Sequence, residues 1–341
     1  MGSTRPAPTV RRGSLRGRLI GLAVTAIGLY VVWPALLETL QAWPGLTSIK
    51  ARWFLGMVAL ETASFVCVWW VLGLSLRSRR RVLIATSQLA SNAASRVIPG
   101  GAATGGVIQY RMLTQGGMEG PTVASGLTAA SVVITAVLFA MPLFTLPVIL
   151  GGAAIHEELR QAAWLGIGAF VILTAGTAAL IVTDRPLALI GRTVDRIRNV
   201  VRRRRGRLER HDLADRLRRE RDAMLRTLGS KWWQALLGAV GKWVLDYLAL
   251  LTALAAVGAH PRASLVMLAY LSGAILGMIP ITPGGLGFVE AGLTSMLVLA
   301  GVPAGAASLA VLAYRLVSYW LPLAAGAVAA VVFNRRYGRS A

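Results

Sequence analysis

Ile279-Pro280-Ile281-Thr282-Pro283-Gly284-Gly285-Leu286-Gly287-Phe288-Val289-Glu290 breaks an otherwise apolar run with two prolines, three glycines and a carboxylate. In the first half of the chain, Ile98-Pro99-Gly100-Gly101, followed by Gly105-Gly106, breaks another. Proline lacks a backbone donor and glycine tolerates left-handed backbone, so each Pro-Gly-Gly marks a bend between helical arms. Composition sets the medium in which these bends sit. Hydrophobic residues make up 55% of the 341, charged residues 15%, and the mean hydropathy is +0.62. A soluble domain carries roughly 25% charged residues, so a soluble enzyme is excluded and a membrane protein expected.

The basic excess, 36 Lys+Arg against 14 Asp+Glu, falls in short islands between apolar runs. That is the pattern of the positive-inside rule, and no nucleic-acid partner is expected. The single cysteine, Cys67, lies in an apolar run, which excludes an intramolecular disulfide and reads as a small buried apolar residue. Three scattered histidines give no zinc spacing, so no metal is expected. Arg5, Arg11, Arg12, Arg16 and Arg18 precede the apolar stretch Leu19–Leu37. Its length exceeds the roughly 7–15 residues of a signal-peptide core and no small-x-small site follows, so it reads as a retained first span.

A span needs about 20 apolar residues. Leu19–Leu37, Trp53–Leu76, Pro121–Leu150, Ala162–Val182, Trp232–Val257 and Gly305–Phe333 qualify. The N-terminal tail, Arg77–Arg81, the stretch Asp184–Lys231 and the tail from Arg335 to Arg339 are basic, hence cytoplasmic by the same rule. Parity then requires Val82–Gly117 to begin and end inside, and Ala263–Gly301 to begin and end outside. Each is either a re-entrant hairpin or two full spans, and arms of about 16–18 residues favour the hairpin. The chain thus divides into a basic cytoplasmic tail (1–18), an N-terminal membrane half (19–183) with hairpin 82–117, a basic linker (184–231), a C-terminal membrane half (232–333) with hairpin 263–301, and a second basic tail (334–341). The expected fold is an all-α polytopic membrane protein with about six spans and two Pro-Gly-Gly hairpins in an inverted repeat. Gly/Pro-interrupted segments in corresponding positions of inverted halves point to a transporter's binding site.

The linker holds 15 Arg and 7 acidic residues between Asp184 and Ser230. Ile190, Val194, Ile197 and Val201, then Leu213, Leu217, Met224 and Leu228, follow helical spacing around the run Arg202–Arg205. One or two amphipathic helices on anionic lipid, or a solvated loop that sets orientation, both fit that pattern.

An ionisable residue within a span is a functional-site hypothesis by default, since its burial costs several kcal/mol. The set is Glu61, Arg96, Lys242, Asp246, Glu290 and Arg315, with Arg111 near a hairpin end. Lys242 and Asp246 stand one helical turn apart and either pair with each other or serve, with Glu61, in ion coupling. Glu290 and Arg315 form either a buried structural pair or part of a headgroup or proton-coupled site. Arg96, three residues before Pro99, is the candidate phosphate contact because guanidinium offers a bidentate fork. Asn92 and Gln109 add neutral hydrogen bonds, and Pro99, Gly100, Gly101, Pro283, Gly284 and Gly285 supply the unwound backbone. Trp69-Trp70 and Trp232-Trp233 read as interface anchors.

The run P-x-T-P-G-G-L-G-x-x-E from Pro280 to Glu290, with Gly301, Tyr314-Arg315, Tyr319-Trp320-Leu321-Pro322 and Gly326, resembles the flippase-like membrane domain of lysylphosphatidylglycerol synthases and its stand-alone relatives. The stretch from Asn92 through Pro99-Gly100-Gly101 to Gly105-Gly106 is similar to that family's other signature, and the likeness covers roughly residues 19–333. The resemblance implies a multi-pass protein of the plasma or inner membrane, which moves anionic phospholipid or lipid-linked headgroups between leaflets. It also places Glu290, Arg315 and the hairpin glycines on motif positions. Full-length synthases add a soluble aminoacyl-transferase domain after the last span, whereas this sequence stops at Ala341, so lysyl transfer and enzymatic activity are not expected of it. No G-x-x-x-x-G-K-[ST] run is present, which leaves movement downhill or coupled to an ion gradient, with no cofactor. The expected partners are membrane phospholipids with anionic headgroups, and a lipid-modifying enzyme. Two alternatives are a proton- or ion-coupled small-solute transporter and a non-transporting accessory subunit of a lipid-modifying enzyme or glycosyltransferase.

Overall fold

Long apolar runs without water to satisfy their backbone become helices, because only a helix pairs every N–H and C=O within its own segment. The computed structural model describes residues 43–98, 101–145, 229–277 and 283–338, with 161, 164, 168, 171 and 172 also placed in helix. Among the described residues every regular element is helical. In chain order these are α1 (Trp43–Ser48), α2 (Ala51–Ser75), α3 (Arg81–Val97), α4 (Gly101–Gln115) and α5 (Gly120–Ala140), then α6 (Trp232–Ala256), α7 (Ala263–Leu276), α8 (Phe288–Leu299), α9 (Ala304–Arg315) and α10 (Leu321–Tyr337). A 3-10 turn covers Pro283–Gly285, and a π-helical segment, Leu316–Trp320, joins α9 to α10.

Among the described residues four helices are long and apolar enough to cross a membrane: Ala51–Ser75, Gly120–Leu143, Trp232–Ala256 and the joined Ala304–Tyr337. They overlap the spans expected at Trp53–Leu76, Pro121–Leu150, Trp232–Val257 and Gly305–Phe333, of which residues 146–150 lie outside the described residues. The expected span Leu19–Leu37, nearly all of Ala162–Val182 and the linker up to residue 228 lie outside the described residues. Large apolar side chains face outward on the long helices, with Leu55 69% exposed and Val328 63% exposed, as lipid-facing residues would be.

The two interrupted stretches each form a pair of packed arms, α3 against α4 and α7 against α8. The arms have 17, 15, 14 and 12 residues. At about 1.5 Å per residue they run roughly 18–26 Å, short of a hydrocarbon core of about 30 Å. Helix α3 is rich in small polar residues, and Thr86, Ser87, Ser91 and Ser95 return their hydroxyls to carbonyls three or four residues back. Ser91 and Ser95 lie against Gly105 of α4, and α10 packs on another side of α3 so closely that a Cβ on Gly326 would run into the Leu89 carbonyl and Ala93. Helix α6 packs on α2, where Gly238 meets Val71 and Gly241 meets Cys67. Small residues set such close crossings in membranes.

Candidate polar site at the broken helices

Pro322 has no N–H, so the carbonyl of Ser318, four residues earlier, has no regular helical partner. The helix widens there, and the Leu321 N–H reaches the Leu316 carbonyl five residues back. Arg96, at the end of α3, fills the gap. Its Nη1 donates to the carbonyls of Ser318 at 3.0 Å and Tyr319 at 2.8 Å. The same guanidinium lies 4.6 Å from the centre of the Tyr319 ring, and the Tyr319 hydroxyl reaches back to the Arg96 carbonyl at 3.5 Å.

Arg315 approaches the same ring, 4.5 Å from its centre. Its Nε donates to Glu290 Oε1 at 2.6 Å, and its Nη2 lies 3.4 Å from the Gly284 carbonyl. Glu290 sits in the first turn of α8, where the helix dipole favours a carboxylate. Gly284 has φ 65°, and any Cβ there would strike the Tyr319 ring, so glycine is required on both counts. Tyr319 is therefore the hub at which the end of α3, the Pro-Gly-Gly turn of the second hairpin and the last span meet.

A second set of polar groups adjoins the first. Lys242 Nζ donates to Asp246 Oδ2 at 3.0 Å, Tyr270 Oη donates to the same oxygen at 3.0 Å, and Tyr314 Oη donates to Oδ1 at 2.6 Å. The Lys242 ammonium also lies 3.0 Å from the centre of the Trp243 ring. Glu61 is 6% exposed, and its Oε2 has no hydrogen-bond partner among the described residues. It lies within the fields of Asp246, Lys242 and Arg96. The whole cluster holds three cations, Arg96, Lys242 and Arg315, and three carboxylates, Glu61, Asp246 and Glu290. Two pairs are in direct contact. Arg96 and Glu61 make up the pair that is not, among the described residues.

The pairings expected between Lys242 and Asp246, and between Glu290 and Arg315, are thus both formed. Arg96, Gly284, Glu290 and Arg315 converge on Tyr319, while Glu61, Lys242 and Asp246 gather around Tyr270 and Tyr314. The neutral candidates of the first hairpin carry open valences: Asn92 Oδ1 and Gln109 Nε2 are buried with no partner among the described residues. Gly101 opens α4 with φ 50°. Pro99 and Gly100 lie outside the described residues. Trp69 gives its Nε1 to Gln88 at 3.1 Å. It lines a cavity of about 810 Å³ with Trp70, Arg77, Arg79, Arg81 and Lys231 at the junction of α2, α3 and α6. Composition alone singled out none of the three tyrosines, since a neutral aromatic in an apolar run carries no charge signal.

The chain matches the family model described as lysylphosphatidylglycerol synthase TM region over residues 18–326. It is 32% identical over 98 residues to a UPF0104 membrane protein of Methanothermobacter thermautotrophicus, an alignment that spans 29% of this chain and 28% of that protein. A second UPF0104 membrane protein of the same organism is 30% identical over 86 residues, 25% of this chain and 26% of its own length. The chain therefore aligns with little more than a quarter of each of these relatives. No solved structure matches.

Proposed function

The chain belongs to the family of lysylphosphatidylglycerol synthase transmembrane regions, and on that footing we propose that it moves an anionic phospholipid or lipid-linked intermediate between membrane leaflets. The observation that carries this reading is the Arg96–Tyr319–Arg315 cluster beside the Gly284 turn. Guanidinium groups recognise phosphate as a planar, bidentate partner, and unwound backbone is tolerated at membrane depth where it lines a cavity. Arg315 is already matched by Glu290, whereas Arg96 spends one nitrogen on backbone carbonyls and meets no carboxylate directly among the described residues.

The hairpins 82–117 and 263–301 dip into the membrane from opposite sides, the two halves form an inverted repeat, and both termini face the cytoplasm of the cell membrane. The short arms and the basic islands support this arrangement. Movement is downhill or driven by an ion gradient, and no catalytic step is assigned. The test is movement of a fluorescent phosphatidylglycerol across the bilayer of liposomes reconstituted with the full chain, read by quencher access from outside. Accelerated exchange, lost in Arg96→Gln, is the expected outcome. Exchange no faster than in empty liposomes would end the reading.

A further inference from the structure

Resting on the reading of the Tyr319 cluster as an anion site, we infer that Glu61 is a proton-binding residue whose charge state sets the affinity of Arg96 for an anionic phosphate headgroup. Glu61 is buried on α2 with one oxygen unpartnered, an arrangement that a buried carboxylate does not keep without a counter-charge or a proton. The groups that face it are known from every element packed against α2. From α6 come Lys242 and Asp246, the latter within hydrogen-bond reach of Glu61; from α3 comes Arg96, from α7 Tyr270 and from α9 Tyr314, and α5 brings no ionisable side chain. Tyr270 and Tyr314 stand behind Asp246, and Cys67 lies further along α2 itself.

The charges decide what a proton does there. Asp246 is satisfied by Lys242 and two tyrosine hydroxyls, and Glu290 is satisfied by Arg315. Glu61 is left with no cation in direct contact among the described residues; Lys242 and, more weakly, Arg96 act on it through space, and Arg96 for its part meets no carboxylate directly among them. With Glu61 ionised the cluster is neutral and offers an anion no net attraction. With Glu61 protonated one positive charge is uncompensated, and it resides on the guanidinium best placed for a phosphate. Anion and proton then bind together, one of each, and the loaded site is again neutral. Linkage makes the effect reciprocal, so headgroup binding draws a proton onto Glu61.

Titration calorimetry on the purified full chain tests this, with dihexanoyl phosphatidylglycerol as probe in two buffers of different ionisation heat. The expected result is uptake of about one proton per headgroup, with affinity falling about tenfold per pH unit above the proton-binding range of Glu61. Glu61→Gln should bind with the tight affinity at every pH and take up no proton, and Arg96→Gln should bind at least about tenfold more weakly. Inorganic phosphate should bind at least about tenfold more weakly than the lipid; equal affinity would overturn the headgroup as the ligand. A wild-type affinity flat from about pH 8 to pH 10, or an unchanged slope in Glu61→Gln, would overturn the inference, and the wild-type measurement depends on no variant folding. Lipid movement in liposomes without proton uptake ends this inference and leaves the transport reading. Proton uptake without lipid movement does the reverse.

Discussion

The hydroxyl of Tyr314 donates to Oδ1 of Asp246 at 2.6 Å, and so fastens the residue beside Arg315 to the carboxylate that Lys242 holds. The two charged sets share one helix turn of α9, and a shift at either is felt by the other. Tyr314→Phe leaves a buried carboxylate oxygen without its donor. The expected cost is about 1–3 kcal/mol, seen as a lower melting temperature in detergent. Tyr270→Phe should cost a similar amount, and the double variant should depart from the sum because both hydroxyls serve one carboxylate.

Glu290 and Arg315 contact each other at 2.6 Å with 13% of each side chain exposed. Arg315→Met strands Glu290 and should destabilise by about 3–5 kcal/mol. The double variant Glu290→Leu with Arg315→Met should recover most of that stability. Lipid movement should stay lost, because the guanidinium beside Tyr319 is gone. Recovery of movement in the double variant would reduce this pair to a structural one.

Arg96→Lys keeps the charge but loses the planar group that bridges two carbonyls and lies over Tyr319. Phosphatidylglycerol exchange should fall roughly tenfold to a hundredfold, the equivalent of about 1.5–3 kcal/mol for hydrogen bonds to a charged group. Circular dichroism should show the helix content unchanged. Wild-type exchange in Arg96→Lys would remove the fork from the site.

Pro322→Ala supplies the N–H that the Ser318 carbonyl lacks. The substituted helix should gain up to about 3 kcal/mol, and Arg96 should lose its anchorage to the π segment. The expected signature is a higher melting temperature with slower lipid exchange, a combination that a simple packing change would not give.

In a Cys67→Ala background, single cysteines at Ala103 and Ala291, each near the start of a returning arm, should be labelled by an impermeant maleimide from opposite faces of the membrane. Labelling of both from the same face would break the inverted-repeat arrangement.

The four long helices were legible because length and apolarity alone require them, and Pro-Gly-Gly at 283–285 was legible because its chemistry permits little else. The i,i+4 spacing of Lys242 and Asp246 and the motif positions of Glu290 and Arg315 likewise carried their pairings in the sequence. The partners of Arg96 did not show, because they are backbone carbonyls, which every residue possesses. The one available signal was Pro322 standing four residues after Ser318, which orphans that carbonyl. Tyr314 and Tyr319 stood in the sequence as motif positions, but their partners, and Tyr270 altogether, became visible only in three dimensions, since their roles depend on helices far apart in the chain.

The π segment Leu316–Trp320 winds one residue more into its turn than a regular helix does. Everything beyond it is rotated by about 100° from where uninterrupted winding would have put it. Gly326 lies six residues past that segment and faces Leu89 and Ala93 through the offset. Removing any one residue from the five would restore regular phase, swing the glycine notch away from α3 and bring a bulkier neighbour into its place. The seam between the first hairpin and the last helix is thus keyed to a dislocation in the helix lattice, and register, more than any single side chain, is what holds that seam together.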